Sequence, residues 1–251
     1  MSGGQHDFRS RARRVLEIEA KAITGLVPRL DASFDRACQL CLDCRGRIIV
    51  TGMGKSGHVA GKIAATLAST GSPAFFVHPG EASHGDLGMI TRIDLVIAIS
   101  NSGETAEIIT ILPLLKRLGI PLITLSGNPR STLGTAAAVA LDVGVSEEAC
   151  PLNLAPTAST TAALAMGDAL AVALLESRGF TREDFALAHP GGTLGRRLLL
   201  RVDEVMHTGE GIPQVGPEAL LSQGLIEMSR KGLGMTAIVD AENRLAGIFT
   251  D

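Results

Sequence analysis

The chain has 251 residues, a formal net charge of −3, 45% hydrophobic and 20% charged residues, and neither Trp nor Tyr. That balance describes a globular protein with room for a substantial core; it gives no electrostatic reason to expect nucleic acid, and seven Phe make a poor base-stacking platform. No run of about 18 apolar residues marks a membrane span and the basic start lacks a signal peptide's apolar core, so a cytoplasmic protein without membrane partners is expected.

From His6 to Cys44 the pattern is helical, broken near Pro28. Within it "CQLCLDC" continues the apolar face of Leu26, Leu30 and Phe34. Cys38, Cys41 and Cys44 therefore read as small core residues and not as zinc or iron–sulfur ligands. Cys150 stands far from them, and the four make no secreted disulfide framework.

From "RIIVTG" onward short apolar runs at 47–52, 74–78, 94–100, 121–126 and 139–144 alternate with helical patterns at 56–70, 83–90, 104–118 and 157–178. This alternation predicts an α/β fold, a doubly wound five-stranded parallel sheet covered on both faces. Near Arg201 the character shifts to a linker, a helix near 217–231 and two strands near 235–250, ending in "LAGIFTD". We therefore expect an N-terminal helical segment (1–45), a core (46–200) and an incomplete C-terminal unit (201–251).

Ligands of such sheets bind beyond the carboxyl ends of the strands, which directs attention to two strand-to-helix junctions. "TGMGKSGHVAGKIA" (51–64) and "DLVIAISNSGETAEI" (94–108) both place Gly, Ser and Thr where a helix begins, a pattern suited to phosphate. The first is too short for a Walker A loop and is read as placing Gly57 one residue early for G-x-G-x-x-G, so a small phosphorylated ligand is preferred here to a nucleotide.

Five residues could carry chemistry, and each also has a plainer reading. Lys55 opens a helix, where a cation is unfavourable unless an anion sits beside it. His84 lies in a Gly-rich junction and could be a loop histidine. Glu107, one turn past "SGET", could be dipole-favoured decoration; Glu148 follows the fifth strand beside Glu147. His189 precedes Pro-Gly-Gly and could merely end a helix.

In this order, "TGMGKSG", "HPGEASHGDLGMI", "ISNSGETAEI", "NLAPTASTTAALAMGDALA" and "HPGGTLGRRLL" make the chain similar to the arabinose-5-phosphate isomerase family, whose core is a sugar isomerase (SIS) domain. The resemblance runs over roughly residues 8–200 and continues as the beginning of the CBS modules that usually come after it. It implies interconversion of D-ribulose 5-phosphate and D-arabinose 5-phosphate on the way to Kdo and lipopolysaccharide. It also implies activity-linked roles for Lys55, His84, Glu107, Glu148 and His189, and a phosphate loop containing Ser100, Ser102 and Thr105. The substrate-binding set expected with it adds Gly54, Ser56, Gly71, Ser72, His84 and Asn101. His78 falls on the position of an inhibitory zinc, and a homotetramer is expected.

Moving a carbonyl between adjacent carbons needs a base, a stabiliser for the enediolate and a proton route between two oxygens, and no redox cofactor. His189 is the first choice of base and Glu148 the second, with Lys55 as the electrostatic stabiliser. A non-catalytic sugar-phosphate sensor, or an isomerase or lyase for another sugar phosphate, is the rival reading.

Overall fold

The computed structural model describes residues 7–189, 191 and 200–251. Helix α1 (Phe8–Thr24) begins where the Ser10 N–H donates to the Asp7 carboxylate, and α2 (Ala32–Asp43) where the Ser33 N–H donates to Asp31. Between them Pro28 sits in a 3-10 turn, Val27–Arg29.

The sheet comes next: β1 (Ile48–Gly52), α3 (Lys55–Ser69), β2 (Ala74–Phe76), α4 (Pro79–Ala82), β3 (Leu95–Ile99), α5 (Ala106–Leu118), β4 (Leu122–Ser126), α6 (Thr132–Ala136), β5 (Val139–Asp142), α7 (Ala158–Ser177) and α8 (Arg182–Ala188). All pairings are parallel, in the order β2-β1-β3-β4-β5. β1, β3 and β4 are buried along their whole length because helices cover both faces, so their sequences are unbroken apolar runs.

The two faces hold separate cores. Ala60, Ile63 and Leu67 of α3 join Cys41 of α2, Leu170 of α7, and Val50 and Ile97 of the sheet. Ile108, Ile111 and Leu115 of α5 join Ile49, Val96 and Leu133 on the other side. Cys41 is fully buried, which pushes its thiol up, and Cys38 and Cys44 pack against the same cluster; all four cysteines are free.

One expected helix takes a different form. The stretch 83–90 holds only a 3-10 turn, Asp86–Met89; the α-helical turn lies ahead of it as α4, started by Pro79, and Gly85 at φ 138° interrupts helical backbone between the two. Helix α7 also corrects the expectation that no segment is apolar enough to cross a membrane: by length and composition alone it is. It is instead a core helix of the sheet, half buried, packed on α1, α2 and α3.

The chain divides into two compact units, 1–195 and 196–251. Among its described residues the second contains α9 (Val202–Val205), β6 (Gln214–Val215), α10 (Leu221–Lys231), β7 (Met235–Val239) and β8 (Leu245–Thr250). β7 and β8 form an antiparallel hairpin and β6 adds a parallel edge strand.

Candidate active site

Order β2-β1-β3-β4-β5 contains one point where the winding reverses, between β1 and β3. From β1 the chain crosses through α3 to β2 on one side; from β3 it crosses through α5 to β4 on the other. The two helices cover opposite faces, so a crevice opens between the loops that come after β1 and β3. Both expected junctions flank that crevice.

The loop after β1 is shaped by glycines. A Cβ on Gly57 would lie 2.7 Å from the Gly52 carbonyl oxygen and one on Gly52 2.7 Å from that of Ser56, so strand end and first helical turn touch. Gly54 adopts φ 56°, ψ −126°, open only to glycine at low cost. Gly52, Gly54 and Gly57 do match G-x-G-x-x-G, contrary to the sequence reading that set nucleotide spacing aside. The dinucleotide assignment still lacks its acidic partner, because β2 leads into His78 and not into Asp or Glu. Lys55 is the first residue of α3 and exposed; Ser56 beside it is half-buried.

The loop after β3 is held by hydrogen bonds. Ser100 is 3% exposed; its Oγ accepts the Gly103 N–H (3.0 Å) and lies 2.7 Å from Thr105 Oγ1. Gly103, at φ 68°, lies so close to Ser131 that a Cβ would come within 1.8 Å of its Oγ. The Leu133 N–H donates to the Gly103 carbonyl (3.1 Å), and the Thr132 N–H to Glu104 Oε1 (2.7 Å), a bond that holds the Glu104 carboxyl below its ordinary range. The Ser102 hydroxyl accepts the Glu104 N–H (3.1 Å). Ser100 is thus a brace turned inward. Asn101 and Ser102 are exposed and Thr105 half-buried, and if Ser100 donates to Thr105, the Thr105 proton is free to point at an anion. Glu107, in the first turn of α5, is half-buried.

At the carboxyl end of β2 come His78 and His84. His78 Nδ1 is buried with no hydrogen-bond partner, and its ring stands edge-on to Phe76 at 6.4 Å. His84 is exposed. Among the described residues of one chain, no three His, Cys, Asp or Glu side chains converge, at His78 or elsewhere.

Glu148 reaches the same end of the molecule through α7. Lys62 Nζ bonds both Asp168 oxygens (2.5 and 2.7 Å), and Arg178 Nε donates to Ser72 Oγ (3.1 Å). Both pairs are 106 residues apart, so α3 and α7 run parallel in constant register and Lys55 falls level with Thr161. The N-terminus of α7 therefore rises beside Lys55. There Glu148 Oε2 accepts the Thr157 N–H (2.7 Å), the Thr157 hydroxyl (3.0 Å) and the Ser159 N–H (3.3 Å). Burial opposes ionisation of Glu148, but the Ser159 and Thr157 donors outweigh it and hold the carboxyl below the usual glutamate range. That makes Glu148 a poor resting base and a well-placed fixed anion.

Three expected residues are not brought to this mouth within one chain. Gly71 and Ser72 lie at the opposite, amino edge of the sheet. Gly71 packs against the Phe180 ring, and fully buried Ser72 is bonded to Arg178. His189 comes after α8, beyond the far end of α7; its ring stacks on Phe185 at 4.0 Å and Nδ1 lies 3.0 Å from the Phe185 carbonyl oxygen. The sequence reading also missed Ser131, Glu104 and Thr157. Ser and Thr at helix starts signalled the first and third as caps, but not what they brace.

Residues 41–173 match the SIS domain family model. Over 245 residues, 98% of this chain and 75% of each relative, the sequence is 63% identical to arabinose 5-phosphate isomerase KdsD of Pseudomonas aeruginosa and 60% identical to that of Yersinia pestis. The solved structure of E. coli CFT073 c3406 in complex with arabinose 5-phosphate is similar with TM-score 0.72 and 43% identity, covering 74% of this chain and 100% of that one. With the reversal point, the two phosphate-type loops and these relatives in agreement, the chain belongs to the arabinose 5-phosphate isomerase family and carries its SIS domain.

Proposed function

We propose that this protein is an aldose–ketose isomerase that interconverts D-ribulose 5-phosphate and D-arabinose 5-phosphate, the latter consumed in Kdo and lipopolysaccharide synthesis. The observation that carries the reading is the pairing, across one crevice, of a lysine at a helix N-terminus with a hydroxyl-rich loop. A lysine at that position is favourable only with an anion beside it.

In this reading Ser102, Thr105, Asn101 and the free N–H groups of α5's first turn hold the phosphate, with Ser56 assisting. A base takes a proton from C1 of the ketose. The electron pair forms the C1–C2 double bond while the C2 carbonyl oxygen becomes negative, and Lys55 neutralises that charge. Return of the proton to C2, with the hydroxyl proton passed from O1 to O2, gives the aldose. Atoms and electrons balance without a redox cofactor. His84 and Glu107 assist the oxygen protons.

His189 remains the preferred base, supplied by a second copy in a homotetramer. Support comes from the surfaces left uncovered: α1 has no buried residue and turns Leu16 outward at 68% exposure, while α7 is apolar around its girth but only half buried. The C-terminal unit we read as the start of a CBS module, and the four free cysteines support a cytoplasmic setting.

Purified protein should convert ribulose 5-phosphate, in a panel of pentose and hexose phosphates, to arabinose 5-phosphate, with and without a chelator. Binding without turnover would mark a sensor. Mixing Lys55→Met and His189→Asn variants should restore turnover that neither shows alone; no recovery would remove His189 as a partner-supplied base.

A further inference from the structure

The connection from β5 to α7 is closed on itself around one side chain. Thr157 makes three bonds there through two atoms: its N–H and its hydroxyl both donate to Glu148 Oε2, at 2.7 and 3.0 Å, while the hydroxyl oxygen also accepts the Ala149 N–H at 2.9 Å. The Glu148 N–H in turn donates to Asn153 Oδ1 (2.7 Å), and Asn153 holds the turn at φ 54°. The described bonds to the carboxylate all fall on Oε2. Oε1 is left as the oxygen that can face a substrate hydroxyl or the Lys55 ammonium, which the α3–α7 register brings to the same end.

From this geometry we infer that Thr157 is a positioning residue for the isomerisation, fixing the Glu148 carboxylate so that one oxygen is tied to the helix and the other is presented to the crevice. The inference rests on the proposed isomerase activity for its catalytic consequence, but the clasp itself does not depend on it. Valine at 157 keeps the side-chain shape and removes both hydroxyl bonds, whereas serine keeps the hydroxyl. A merely structural threonine would tolerate valine without loss of turnover.

The test uses Thr157→Val, Thr157→Ser and Glu148→Gln in the full chain. Thr157→Val should lower kcat about tenfold, the loss of one charge-assisted hydrogen bond, with KM for arabinose 5-phosphate changed less than about twofold; Thr157→Ser should recover kcat to within about threefold. An unchanged kcat in the valine variant, or no recovery with serine, overturns the inference. A second arm needs no substrate. In a thermal-unfolding cycle, Thr157→Val and Glu148→Gln should be markedly less than additive; additive shifts in Tm would show that the two side chains do not act together. Should the wild-type chain fail to turn over arabinose 5-phosphate, the isomerase reading falls alone and the cycle still decides whether the clasp exists.

Discussion

The two loops facing each other across the crevice are built by different means. After β1, glycines remove side chains so that backbone can touch backbone, and nothing lies within 4 Å of a Cβ at Gly54. After β3, side chains do the holding: Ser100, Glu104 and Ser131 engage loop backbone and each other's neighbours. The first arrangement leaves Lys55 exposed and unencumbered. The second commits several of its polar groups to rigidity. A hydroxyl-rich loop is therefore no simple inventory of ligands, since part of its polarity is consumed in presenting the rest.

The largest effect should come from the unencumbered side. Lys55→Met is expected to reduce turnover about 10²–10³-fold, roughly 3–4 kcal/mol of transition-state stabilisation, with no loss of thermal stability. A reduction below about tenfold would break the contrast. Next comes glycine itself: Gly103→Ala should cost about 2–4 kcal/mol in urea denaturation, through left-handed backbone and collision with Ser131. Gly54→Ala should cost about 1–2 kcal/mol, from backbone strain alone. Equal costs would mean that the bracing around Gly103 yields.

A finer contrast lies within the second loop. Ser100→Ala should lower stability by about 1 kcal/mol while leaving KM within about threefold; Thr105→Val should raise KM about tenfold with little change in stability. Steady-state kinetics with urea titrations would separate a brace from a ligand. The smallest effect concerns pH. The carboxyl of Glu148 is held below its ordinary value of 4.5, so its contribution is present at neutral pH and disappears as pH falls through the folded-state value. The stability gap between wild type and Glu148→Gln should accordingly narrow on acidification; a constant gap would deny the carboxylate a charged role.

Much of the sheet was legible because strands buried on both faces leave continuous apolar runs: 94–100 was expected and Leu95–Ile99 observed, 121–126 expected and Leu122–Ser126 observed. Lys55 and Thr105 were legible for a similar reason, since position after a strand reveals which edge a residue occupies. The illegible part depends on contacts far apart along the chain. Gly103 against Ser131 and the parallel register of α3 and α7 leave no local pattern. Gly71 and Ser72 have the lettering of a ligand loop, yet they precede a strand, and their edge of the sheet is closed by Arg178. His189 could be recognised as unusual but not located, because the length of α7 carries the next helix, and His189 after it, away from the mouth.

One contact in the core has a longer reach than its size suggests. A Cβ at Gly167 would lie 2.2 Å from Cδ1 of Ile63, so a single missing methyl lets α3 and α7 lie together. Since one helix carries the cation and the N-terminus of the other holds the fixed anion, that vacancy works as a spacer of zero thickness between the two charges. A bulkier residue would act as a wedge, widening the mouth from below while every side chain at its rim kept its identity.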